Sequence, residues 1–187
     1  GFGSAYKTGI KNSSGEFCVL IPGDNEADIN DTLRIFSETK NIDMLLPYTI
    51  NKEVRNLQRR FLSKLFVILL NLIFNTNVKY FNGSVFYRTK VLKKVRIKSK
   101  GFLFQSEIVL KIIKSGYLYN ETPYFLKHRS GGDAKALKFK NLLIVFTELV
   151  RLIIEIYFIK KYRIPIIKDS ATFNRTKDHK NSWKIAW

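Results

Sequence analysis

Phe17-Cys18-Val19-Leu20-Ile21-Pro22-Gly23-Asp24-Asn25-Glu26 is the stretch on which the fold turns. Residues 17–21 are apolar, and Val19 and Ile21 are β-branched, the composition of a short buried strand. Pro22-Gly23 closes it as a turn. Two carboxylates, Asp24 and Glu26, follow one residue apart, and in extended backbone positions i and i+2 point the same way. Such a pair can hold one hard divalent cation, which in turn favours phosphate oxygens. The same residues also fit a simpler part, because Asp24 or Asn25 could N-cap the helix that follows. Taken alone, the stretch leaves both open.

Working outward, residues 1–13 read as a short helix, and 26–40 as a second, with Ile29, Leu33 and Phe36 at helical spacing. Residues 42–48 form another strand candidate, ended by Pro47. This alternation predicts a layered α/β domain and not an all-helical one. Residues 52–75 read as one long helix with two characters. Its first half sets Lys52, Arg55, Arg59 and Ser63 on one stripe. Its second half, 65–74, is apolar nearly all round yet too short to span a bilayer, which makes it a core or interfacial helix.

Residues 80–88 return to strand chemistry, with Gly83 as a point of close backbone approach. A helix over 105–115 closes at Gly116, and 117–129 is extended, with Pro123 marking an edge or a strand end. The last long helix covers 136–162. Glu148, Arg151 and Glu155 interrupt its apolar run on a single stripe and can pair with one another. Charges at the centre of a spanning helix are expensive, so this segment is expected to lie along a membrane surface as an amphipathic helix. Residues 163–187 are basic and are expected to be a loosely ordered tail whose Trp183 and Trp187 reach a membrane interface.

The chain of 187 residues carries 33 Lys and Arg against 15 Asp and Glu, a formal charge of +18. Its partners should be polyanions: nucleotide phosphates, an anionic membrane surface or nucleic acid. A nucleic-acid-binding module is the weaker of these, because the aromatic residues sit in apolar runs and not among the basic ones, so no nucleic acid is expected. With 45% hydrophobic residues the chain is no disordered tail. A single cysteine, Cys18, excludes a disulfide framework within the chain, and two histidines, His128 and His179, are too few for a zinc site of their own.

Four local patterns occur in a fixed order: Gly1-Phe2-Gly3-Ser4-Ala5 with Gly9; Pro22-Gly23-Asp24-Asn25-Glu26; Gly101-Phe102-Leu103-Phe104-Gln105-Ser106-Glu107; and His128-Arg129-Ser130-Gly131-Gly132-Asp133-Ala134-Lys135. In this order and spacing the chain resembles the GT-A family 2 glycosyltransferases, most closely the dolichyl- or polyprenyl-phosphate sugar transferases. The resemblance covers roughly residues 1–151 and lacks the family's first strands. It implies the C-terminal part of a Rossmann-like three-layer GT-A domain over 1–135, beyond which the residues themselves predict the amphipathic interfacial helix over 136–162 and the tail over 163–187.

The resemblance also implies roles. Asp24 and Glu26 stand where the family holds Mg²⁺ or Mn²⁺ against the diphosphate of a GDP- or UDP-sugar, with Glu in place of the usual second Asp. Arg129 and Lys135 match the pattern that grips that diphosphate, with Ala134 in place of the usual Ser. Glu107 matches an acidic position facing the sugar or acceptor, a general base where the acceptor is a hydroxyl and a group orienting the sugar hydroxyls where it is a polyprenyl phosphate. Arg55, Arg59, Arg60 and Ser63 fall where the lipid phosphate is received. The implied activity is inverting transfer of a sugar to polyprenyl phosphate at the cytoplasmic face of a membrane. Transfer to a saccharide hydroxyl is the alternative, and loss of the nucleotide-binding half would leave the chain inactive.

Overall fold

A computed structural model of the chain describes residues 2–23, 26–127, 139–159 and 162–182. Four strands, β1 (Phe17–Val19), β2 (Met44–Thr49), β3 (Phe86–Arg88) and β4 (Tyr119–Tyr124), form one mixed sheet in the order β1-β3-β2-β4. β2 and β4 run parallel from Met44↔Tyr119 to Thr49↔Tyr124. β3 is antiparallel to both β1, with Phe17 opposite Arg88, and β2, with Met44 opposite Tyr87. β1, β2 and β4 therefore point one way, and their carboxyl ends share an edge.

Both faces of the sheet are covered, which gives the α/β layering expected from the sequence. Met44 and Leu46 of β2 and Tyr87 of β3 enter the main core with Leu70, Phe74, Phe104, Ile108 and Leu152. Leu45, Phe86 and Tyr124 turn to the other face, against Ile35. A strand buried on both sides needs apolar residues at every position, so Met44-Leu45-Leu46 shows no polar alternation. Burial of each such side chain is worth about 1.5–3 kcal/mol.

Seven α-helices surround the sheet: α1 (Phe2–Asn12), α2 (Ile29–Phe36), α3 (Leu57–Phe74), α4 (Thr89–Leu92), α5 (Phe104–Lys114), α6 (Phe139–Ile154) and α7 (Ala171–Ser182), counted among the described residues. α2 is capped by Asp28, whose carboxylate accepts from the Asn30 N–H. The capping part thus falls to Asp28; Asp24 and Asn25 lie outside the described residues. The long helix read over 52–75 is divided. A 3₁₀ turn occupies Lys52–Val54, and Asn56 then caps α3 by accepting from the Arg59 N–H. Gly116 follows α5 at φ +82°, the left-handed conformation that glycine adopts most easily.

Pro47 does not end its strand. It lies inside β2 opposite Thr122 of β4, beyond Met44 and Leu45, the two residues that β3 pairs with, so the β3 ladder loses no donor there. Pro123 does sit on an edge strand. The strand read over 80–88 shrinks to Phe86–Arg88, while Gly83 makes the close approach expected of it: a Cβ there would lie 2.6 Å from the Pro47 carbonyl oxygen.

The stripe expected to pair within α6 reaches across to other elements. Glu148, Arg151 and Glu155 face inward, and their partners lie on other elements. Glu148 accepts from the Lys100 and Gly101 N–H groups at 2.9 and 3.3 Å. Arg151 donates to the Ser99 hydroxyl at 2.8 Å, and Glu155 accepts from Lys111 at 3.0 Å. The helix then passes into a π-helical segment at Glu155–Ile159. With the charges inside, Leu143, Phe146, Val150, Ile154 and Phe158 are left exposed.

The chain after Pro165 is also not the loose tail expected, as far as it is described. Tyr117 donates its hydroxyl proton to the Pro165 carbonyl at 2.7 Å. The fully buried Asp43 carboxylate accepts from the Ala171 and Thr172 N–H groups and caps α7. Trp183 and Trp187 lie outside the described residues. No helix among the described residues is long and apolar enough to cross a membrane.

Candidate active site at the carboxyl edge of the sheet

In open α/β sheets, ligands bind in the crevice beyond the carboxyl ends of the strands. Here three connections leave that edge and are tied together. Ala27, beyond β1, bridges Leu126, beyond β4, and the Lys127 N–H donates to the Glu26 carbonyl at 2.9 Å. Asn51, beyond β2, donates its amide to the Leu126 carbonyl and accepts from the Leu126 N–H, at 2.8 and 2.9 Å. A side chain that satisfies both polar groups of one distant residue fixes the register of the two segments.

Glu26 is the centre of this edge. Arg55 Nε donates to its Oε1 at 2.7 Å and Arg59 Nη2 to its Oε2 at 3.2 Å. Arg55 also donates from Nη1 to the Tyr80 hydroxyl at 3.0 Å, with its guanidinium 5.8 Å from the centre of the Tyr80 ring. The Glu26 and Arg55 side chains are only 13% and 12% exposed, against 31% for Arg59. Burial disfavours the charge on Arg55, but Tyr80 and Glu26 outweigh it and raise the guanidinium pKa. One carboxylate is thus matched by two guanidiniums, and the cluster carries an excess of positive charge suited to an anion.

Of the residues singled out in the sequence, the structure brings together Glu26, Arg55 and Arg59. Ser63 is half-buried further along α3, and Arg60 is exposed. Asp24, Arg129 and Lys135 lie outside the described residues.

Glu107 is not placed to face a substrate. Its side chain is fully buried, and both oxygens are taken. Oε1 accepts from Lys111 Nζ at 2.7 Å and from the Lys98 N–H at 3.0 Å. Oε2 accepts from the Ser99 N–H at 2.7 Å and from Arg151 at 3.3 Å. Burial by itself would raise its pKa, but Lys111, Ser99 and Lys98 overcome that and hold it below the ordinary carboxylate value. Glu107 ties α5 to α6 and to the loop at 98–101, and it has no open side from which to take a proton.

Tyr80 and Asn51 escaped the sequence reading. Neither carries a charge, and their partners lie 25 and 75 residues away in the chain. The one signal for Tyr80 was its place in Tyr80-Phe81-Asn82-Gly83, a segment too polar and glycine-broken for a regular strand.

A second concavity lies at the opposite edge of the sheet. A cleft of about 900 Å³ lies at the amino ends of β1, β2 and β4, lined by Glu16, Phe17, Lys40, Arg88, Arg175 and Asp178. Its charges are of both signs, and Arg88 is already committed to Glu16 and Asp43 at 2.8 and 3.0 Å.

Among the described residues no group of three or more His, Cys, Asp or Glu could hold a metal ion. Glu26 supplies the hard carboxylate oxygens that Mg²⁺ or Mn²⁺ requires. Both oxygens are held by guanidiniums, so as described this carboxylate is committed to Arg55 and Arg59 and not to a cation.

No known family profile matches the chain. Its fold is that of the GT-A glycosyltransferases. The solved structures it resembles include the glucosyl-3-phosphoglycerate synthase of Mycobacterium tuberculosis in three liganded forms. With phosphoglyceric acid the TM-score is 0.60 at 13% identity, over 81% of this chain and 55% of that one. With Mn²⁺, uridine diphosphate and phosphoglyceric acid it is 0.58 at 13% identity, over 80% and 53%. With Mn²⁺ and UDP-glucose it is 0.55 at 15% identity, over 81% and 54%. The chain therefore spans about half the length of the structures it matches, and at this identity the likeness establishes the fold.

Proposed function

We propose that the chain forms the acceptor-side part of an inverting GT-A transferase that moves a sugar from a GDP- or UDP-sugar to polyprenyl phosphate at an anionic, cytoplasmic membrane face. The observation that carries this is the placing of the Glu26, Arg55 and Arg59 cluster at the amino end of α3, a helix that also presents an exposed apolar side. α3, which carries Arg59 in its first turn, also exposes Leu57, Phe61 and Leu72, at 75%, 68% and 77%. An anionic head group followed by a long apolar tail has the polarity of that surface. The outward apolar side of α6 adds to it, and Tyr157, just beyond α6, donates its hydroxyl proton to the Ile73 carbonyl at the end of α3.

In this reading Asp24 and Glu26 hold Mg²⁺ or Mn²⁺, while Arg129 and Lys135 grip the donor diphosphate. The bound metal supplies Lewis acidity that neutralises charge on the departing nucleoside diphosphate. Arg55 and Arg59, with Arg60 and Ser63 beside them, receive and orient the acceptor phosphate. Positioning and electrostatics provide the catalysis. A polyprenyl phosphate is already ionised and needs no general base, which agrees with the burial of Glu107. A saccharide hydroxyl would need one, and the residue expected to serve is locked away.

The test is transfer of labelled sugar from UDP- and GDP-sugars, with Mn²⁺, to polyprenyl phosphate in anionic vesicles. Label extracted with the lipid, and only when polyprenyl phosphate is present, supports the reading. Label appearing in a saccharide acceptor instead overturns the choice of acceptor.

A further inference from the structure

We infer that the cleft between α1 and the chain beyond α4 is a binding site for a single amphiphilic anion, an acid head group on a hydrocarbon chain, of which it takes the head and the first few carbons. None of its lining residues belongs to the Glu26 cluster, so the inference stands apart from the transferase reading.

Two segments build the cleft. α1 turns Tyr6 and Ile10 to the core, with the Tyr6 ring 5.1 Å from that of Phe104. Lys7 and Lys11, one helical turn apart on the same stripe, are left along the cleft. Past α4 the Val95 N–H donates to the Leu92 carbonyl at 3.0 Å. From there buried and half-buried residues, Val95, Ile97 and Ser99, alternate with the exposed Lys94, Arg96 and Lys98. Ile10, Leu92, Val95 and Ile97 thus make an apolar floor, and Lys7, Lys11 and Lys93 surround it.

The three ammonium groups have no counter-charge. No carboxylate lines the cleft among the described residues, and Lys93 donates to a neutral acceptor, the Ser13 carbonyl, at 2.6 Å. Like charges one turn apart destabilise a helix. A local rule broken without compensation in the fold marks a place of functional use. An anion supplies the missing charge, and the floor decides its kind: a bare anion leaves that floor in contact with water, whereas chain carbons cover it. The volume of about 350 Å³ is near the lower end for small-molecule sites, which limits the occupant to the head and its first carbons.

The experiment follows the fluorescence of cis-parinaric acid, which brightens when its chain enters an apolar site, with the whole chain and all amphiphiles below micelle formation. Octanoate and octyl phosphate should displace the probe, whereas acetate, inorganic phosphate and octanol at the same concentration should not. Comparing the first two shows which acid head is preferred, and displacement by either supports the inference. Lys7→Gln combined with Lys11→Gln should weaken probe binding about tenfold or more. The thermal midpoint of that variant should equal or exceed wild type, because a repulsion is removed. Displacement by acetate or inorganic phosphate as effective as by octanoate would reduce the cleft to a bare anion site and overturn the inference. Displacement by octanol, or probe binding that the double variant leaves intact, would place the probe elsewhere and overturn it too. So would a wild-type chain that binds no probe.

Discussion

Lys111 Nζ lies 2.7 Å from Glu107 Oε1, and both side chains are fully excluded from solvent. Lys111 also reaches Glu155 Oε1 at 3.0 Å and the Arg96 carbonyl at 2.7 Å. This buried network joins α5 to the end of α6 and holds α6 with its apolar side outward. An acidic residue that matched a catalytic position in the sequence is therefore a structural one, and the distinction can be measured.

Glu107→Gln leaves Arg151 with a neutral partner and Lys111 with Glu155 in place of two carboxylates, and losing a charged hydrogen-bond partner of buried groups costs about 1–3 kcal/mol. Thermal unfolding followed by circular dichroism should show a large fall in midpoint. Binding of Mn²⁺ at temperatures where the variant is folded should match wild type. A variant of unchanged stability that fails to bind or transfer would restore Glu107 to the chemistry.

The same pair sets an acid limit. The Glu107 carboxyl lies below its ordinary value when folded, so its contribution is fully present above the unfolded carboxyl value, about 4.3. As pH falls through the lower folded value that contribution is lost. Stability measured by denaturant titration should drop below about pH 4, and the Glu107→Gln variant should show a shallower drop.

At the alkaline end, Tyr124 is pushed up to about 12, first by burial and then by Tyr80 nearby. Its folded value is above its unfolded one, so its contribution holds below about pH 10 and is lost as pH rises toward 12. Tyrosinate absorbance of the native chain should show a fraction of tyrosines that ionise only with unfolding.

Gly83→Ala should destabilise through space alone, because the added carbon would lie 2.6 Å from the Pro47 carbonyl oxygen. The backbone of β2 must shift to relieve the contact, at a cost of about 1–3 kcal/mol. A midpoint equal to wild type in urea unfolding would contradict that close approach.

The sequence made the layered α/β order legible because short apolar runs and helical spacings alternate along it. Glu26, Arg55 and Arg59 were legible too, as a carboxylate after a strand and a basic stripe leading into an apolar helix. Their direct pairing was not, because nothing in local spacing says that residue 26 meets residues 55 and 59. The partners of the α6 stripe were hidden for a related reason. Glu148, Arg151 and Glu155 on one stripe suggest pairing with one another unless it is known that the Lys100 and Gly101 N–H groups, Ser99 and Lys111 await them inside. Glu107 shows the same limit, since a matching position in a motif cannot report that a lysine one turn on buries with it.

The most direct test of the central claim is equilibrium binding of UDP- and GDP-sugars, with and without Mn²⁺, to wild-type chain and to Glu26→Gln, with thermal unfolding as the check that the variant is folded. The account predicts saturable binding of one of these nucleotide sugars that requires Mn²⁺ and is lost in the folded variant. Binding that is indifferent to Mn²⁺, or that Glu26→Gln leaves intact, would contradict it.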